Sequence, residues 1–114
     1  MIFFSIIAAA SAAVAALVPA SEADLRCVAV LANAVSETTD EKLIASHSVG
    51  MFYFLGKIDG RHSGIDLGAQ LYRLIRQNDF PSKMDSELNR CKVELGKRAK
   101  EVSAAAQQLN KASN

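Results

Sequence analysis

The sequence predicts an all-α fold, a single small bundle of about four helices stapled by one disulfide. Three observations lead there. After residue 24, apolar residues recur in steps of three and four almost to the end of the chain, the spacing that lines one face of a helix. No stretch alternates apolar and polar residues for long enough to make a useful strand, and no internal repeat is visible. Only two cysteines exist, Cys27 and Cys91, one near each end of the patterned region.

Residues 1–23 read as a secretory signal peptide. Met1-Ile2-Phe3-Phe4-Ser5 leads into alanines and aliphatics as far as Val18, and the first charged side chain is Glu22. Small residues then stand where a signal peptidase reads them. Cleavage after Ala23, leaving Asp24 first, is preferred to cleavage after Ala20. The Lys or Arg expected ahead of the apolar run is missing, so only the amino terminus supplies positive charge there. An uncleaved anchor is the rival, but the run is short for a membrane span and no basic flank follows it directly. No cysteine follows in a lipoprotein context. The expectation is a periplasmic or secreted protein with no stable membrane insertion after cleavage.

Residues 24–110 then form one small domain, and residues 111–114 a frayed tail. The domain and tail keep all thirteen basic residues and every acid except Glu22. A nearly neutral chain of this kind lacks the concentrated basic surface that nucleic-acid binding needs. In an exporting compartment disulfides persist, and two thiols allow one intramolecular pairing, Cys27 with Cys91. Closing so long a loop contributes ~4 kcal/mol in the chain-entropy model. There is no C-x-x-C and no activating motif, so a structural staple is preferred to a redox or nucleophilic role.

Asp24 is the expected cap of the first helix, whose stripe is Leu25, Val28, Leu31 or Ala32, and Val35. Ser36-Glu37-Thr38-Thr39 breaks the pattern. Thr38-Thr39-Asp40-Glu41 has the form of a capping box for a second helix. That helix carries Leu43 or Ile44, His47 or Ser48, Met51 and Leu55, widened by Phe52 and Phe54. It is apolar nearly all round, and with Tyr53 it makes Ser48–Arg61 the expected centre of the core. Gly50 and Gly56 imply close approach of a neighbour, or a helix end at Gly56. Gly60-Arg61-His62-Ser63-Gly64 is the most loop-like passage. Ser63 through Asp66 offers a cap for a third helix with Leu67, Leu71, and Leu74 or Ile75, flanked by Tyr72. Asn78-Asp79-Phe80-Pro81 ends it, with Pro81 well placed in the first turn of a fourth. In that helix Met84, Leu88, Cys91, Leu95, Ala99, Val102, Ala106 and Leu109 mark one long buried seam.

Three groups of residues invite a chemical reading. His47, on or beside the apolar face, is a candidate pH sensor, although a partly buried core histidine is the simpler account. Asp59, Arg61 and His62, beside Tyr53, crowd around the loop glycines and form a candidate binding site in which Arg61 would take a carboxylate or phosphate. A capped turn in which Asp59 pairs with Arg61 explains the same residues. Lys92, Lys97, Arg98 and Lys100 could touch an anionic surface, but Glu94 and Glu101 are interleaved as on any solvated helix face. His47 and His62 have no partner at metal-ligand spacing, so no metal and no cofactor is expected. Catalytic motifs such as G-x-S-x-G are absent, and no catalytic residue is assigned.

Cys27 in an opening helix, the segment Tyr53-Phe54-Leu55-Gly56-Lys57-Ile58-Asp59-Gly60 and the late Cys91 together resemble small exported helical bacterial proteins of uncharacterised function. The same segment is similar to one in the periplasmic immunity proteins that neutralise type VI secretion effectors. The one-disulfide helical plan is similar in outline to the periplasmic acid-stress chaperones. These resemblances imply a non-enzymatic exported protein that binds another protein or exposed apolar segments, in an immunity-like or chaperone-like role. They assign no residue a role and leave the oligomeric state open. The alternative is a small-ligand binder or minor enzyme with its site at the Asp59-Arg61-His62 loop.

Overall fold

The computed structural model describes residues 14–77 and 79–113; the apolar run expected to be a signal peptide lies largely outside them. Four helices follow one another: α1 Pro19–Ser36, α2 Glu41–Arg61, α3 Leu67–Ile75 and α4 Phe80–Ser113. No strand occurs among the described residues. Cys27 and Cys91 are joined, with their Cα atoms 5.7 Å apart. Such a bond belongs to a chain that matures away from the reducing cytoplasm.

The core is built on α1 rather than on α2. Leu25, Cys27, Val28, Val30 and Leu31 are all buried, as are Ser21 and Asp24 on the same helix. From α2 the fully buried large side chains are Phe54 and Ile58, joined by Leu74 of α3 and by Phe80 and Cys91 of α4. The expectation of an aromatic core around Ser48–Arg61 therefore needs correcting. Phe54 is internal, Tyr53 is half-buried and Phe52 is 69% exposed. The reason is geometric: consecutive residues on a helix point about 100° apart, so three adjacent rings cannot share one face.

Helix boundaries differ from expectation where capping was read too locally. α1 starts one and a half turns before Asp24, with Pro19 in its first turn, where a missing N–H costs nothing. Asp24 lies inside the helix and does not cap it. For α2 the cap is Asp40, whose carboxylate accepts the backbone N–H groups of Lys42 and Leu43, while Thr38 accepts the N–H of Asp40. α3 is capped by Asp66, whose Oδ1 accepts Ala69 N–H at 3.1 Å. Pro81 falls in the first turn of α4, as its chemistry demands.

The glycines of α2 behave in opposite ways. Gly50 is buried, and a Cβ there would sit 2.7 Å from Leu95 Cδ1 and 3.1 Å from Leu31 Cδ1. It is the point where α1 and α4 press on α2. Gly56 and Gly60 face open space, and the helix runs straight through both to Arg61. The reversal comes later, at His62–Asp66, where Gly64 adopts φ 72°.

α4 departs most from expectation. Its 34 residues make a rod of about 51 Å. The seam is packed from Phe80 to Leu95, but every described residue from Gly96 to Ser113 is exposed, Val102 at 68% and Leu109 at 72%. The expected long buried seam is half real. The body is one short bundle, and beyond Leu95 no other helix among the described residues covers the stripe. The helix continues to Ser113, through the residues expected to fray. This projection gives the molecule its 73 × 30 × 23 Å extents.

Candidate functional site

Two features of the surface stand out, a chain of ion pairs across three helices and an apolar groove beside it. The ion-pair chain begins at Asp24, only 2% exposed. Its carboxylate accepts from Arg61 Nη1 at 2.6 Å and lies 3.1 Å from Lys57 Nζ. Arg61 also donates to Ser21 Oγ at 3.3 Å. Lys57 Nζ reaches on to Glu94 Oε2 at 2.8 Å, and the same oxygen accepts from the Tyr53 hydroxyl at 3.0 Å. Arg98 Nε donates to that hydroxyl at 3.3 Å. The Lys57 ammonium stands 5.6 Å from the ring centres of both Tyr53 and Phe54, within cation–π range.

Electrostatics follow from this geometry. Burial works to raise the Glu94 carboxyl, but the hydrogen bonds from Lys57 and Tyr53 outweigh it and hold the group below its ordinary value. Burial likewise works to lower the Lys57 ammonium, and hydrogen bonds to Glu94 and Asp24 overcome it, leaving the group above its ordinary value. Both stay charged through the neutral range, which makes this chain of groups a clamp.

A second set ties α3 to the first turn of α1 and to the segment ahead of it. Arg73 pairs with Glu22 and donates to Gln70 Oε1 at 3.0 Å, and Gln70 Nε2 donates to the Ala15 carbonyl at 2.9 Å. Arg90 Nη2 adds a bond to the Ala23 carbonyl at 3.0 Å, next to the disulfide.

The expected binding residues do not gather into one place. Arg61 is committed to Asp24 and Ser21, in the last turn of α2. Asp59, two residues earlier and so on another face of the helix, is exposed and stands apart from that pair. His62 caps α2 by donating its backbone N–H to the Ile58 carbonyl at 2.9 Å, and its half-buried ring has Nε2 enclosed without a hydrogen-bond partner. Tyr53 belongs to the Glu94 clamp. His47 is half-buried on the wall of the groove. Among the described residues no three His, Cys, Asp or Glu side chains stand close enough to hold a metal ion.

The groove has a volume of about 600 Å³ and opens between α1, α2 and α4. Leu31 forms its floor; Leu43, Val49 and Gly50 supply one wall, Leu95 and Ala99 the other. Val49 is 69% exposed at its rim. The hollow has a cause in the sequence. Leu43, His47 and Gly50 follow one another at i, i+4 and i+7 on α2, so a polar ring and a bare glycine occupy positions that large apolar side chains would otherwise fill. That sparse stripe was the available signal for the groove. Asp24 and Glu94, the two acids of the clamp, carried none, because their partners come from other helices. No family model, curated protein or solved structure matches the chain.

Proposed function

We propose that this is an exported, non-enzymatic helical protein that binds an apolar helical segment of a protein partner in the groove between α2 and α4. The observation that carries the reading is the groove itself: a concave apolar surface floored by Leu31 and rimmed by exposed Leu43 and Val49. Apolar surface left open in this way marks interaction sites more often than it is neutral, and an amphipathic helix is the ligand that fits a groove between helices. The disulfide agrees with a periplasmic or secreted setting.

The test is a fluorescence anisotropy titration of the oxidised chain with a labelled amphipathic helical peptide. Val49→Glu is expected to weaken binding at least tenfold, whereas Asp59→Asn leaves it unchanged. A titration with no binding, or binding indifferent to Val49→Glu, removes the groove as the site. One dedicated partner recovered from a periplasmic extract would make the role immunity-like. Many clients would make it chaperone-like.

A further inference from the structure

The exposed half of α4 carries a pattern that a solvated helix has no need of. Leu95, Val102 and Leu109 recur every seven residues, and Ala99 and Ala106 fall between them on the same face. Lys97, Lys100, Glu101 and Lys111 all fall on the opposite face, and Arg98, at the flank, is already paired with Glu101 at 2.6 Å. The positions beside the stripe are Ser103, Ala105, Asn110 and Ala112. The result is an apolar seam with small, uncharged margins, which permits a second helix to approach closely. A segment of this length without tertiary contacts is marginal as a helix in water, yet α4 remains helical to Ser113.

The seam does not end where the body begins. Leu95, Gly96 and Ala99 are its first residues and also one wall of the groove, so seam and groove form one continuous surface. This surface is complementary to itself. Set antiparallel about a two-fold axis near residue 104, Leu109 of one tail faces Ala99 of the other, and Val102 faces Ala106. Every layer then meets a large side chain with a small one, and Ser113 arrives beside Leu95 at the groove.

We infer that the occupant of this surface is a second copy of the chain, the two tails pairing antiparallel and the end of each seating in the groove of the other. The inference rests on the reading of the groove as a docking site and names what docks there. A two-fold contact uses the same patch twice. A stable dimer buries roughly 1,200 Å² or more. Two tails about 25 Å long offer only a narrow strip, and the groove, filled once on each side, supplies the rest.

The experiment is sedimentation equilibrium on the oxidised, exported chain at up to ~100 μM, with far-UV circular dichroism on the same samples. The wild-type chain is expected to be a dimer. Val102→Glu and Leu109→Glu, both on exposed positions, are expected to raise the dissociation constant at least tenfold without unfolding the body. Val49→Glu, at the groove, is expected to weaken the dimer too, and Lys100→Glu, on the outer face, to leave it unchanged. A dimer indifferent to Val102→Glu and Leu109→Glu overturns the inference. So does a wild-type monomer. A monomer that still binds the amphipathic peptide through Val49 overturns the second-copy inference alone and leaves partner binding standing, whereas a monomer that binds no peptide removes both.

Discussion

The two halves of α4 carry the same spacing and meet opposite fates. From Phe80 to Leu95 the stripe packs on the body, with Phe80 and Cys91 buried and Met84, Leu88 and Leu95 against the core. From Gly96 to Ser113 it stands in solvent. Periodicity shows that a helix has an apolar face; it does not show whether a partner for that face exists within the same chain. The body ends beside the first turns of α2, where Ala99 lines the groove with Leu43, and the stripe goes on.

The comparison breaks most visibly at the disulfide. Cys91→Ser is expected to cost about 2–5 kcal/mol and lower the melting temperature by roughly 10 °C or more, with the helical signal at low temperature retained. An unchanged melting point would mean that the proximal half is held by packing alone. Next comes a matched pair of truncations. Leu88→Ala, at a half-buried site, is expected to cost about 1–2 kcal/mol. Leu109→Ala, measured by denaturation at high dilution, should stay within about 0.5 kcal/mol of wild type; equal losses would show that the tail folds back onto the body.

Gly50 and Gly56 sharpen the same contrast within α2. Gly50→Ala places a Cβ against Leu95 and Leu31 and is expected to destabilise by about 1 kcal/mol, crowding outweighing the gain in helix propensity. Gly56→Ala meets open space and is expected to stabilise by about 0.5–1 kcal/mol. Paired urea titrations decide both signs. The smallest effect belongs to the clamp. Glu94 is held below its ordinary 4.5, so its contribution is present above about pH 4.5 and disappears as pH falls through the lowered folded value. Lys57 is held above 10.5, so its share persists below that value and is lost as pH rises through the raised one. Glu94→Gln is expected to cost about 0.5–1 kcal/mol at pH 7 and to flatten the acid side of a plot of melting temperature against pH; an unaltered acid limb would assign it to other carboxylates.

Much of the fold was legible in residues whose signal is local. The four helices, Pro81 at the start of α4 and the pairing of Cys27 with Cys91 all appear as expected. What misled was also local. Asp24 looks like a helix cap because a cap and an ion-pair partner are the same carboxylate; only Arg61, 37 positions away, distinguishes them. Arg61 in turn looked free for a ligand because its partner lies on another helix. Gly60 read as a loop, although a glycine in an otherwise favourable helix costs too little to end it. The groove was least legible, since a hollow is made by what Gly50 lacks.

The staple at Cys91 has a mechanical consequence. It sits one turn before α4 leaves the body, and no loop lies between it and Ser113. The tail is therefore a stiff cantilever with a covalent foot. A load applied near Leu109 acts through a lever arm of about 27 Å and arrives at Cys27, in the middle of the most buried helix. Bending the arm strains the core directly, and whatever holds the arm steadies it.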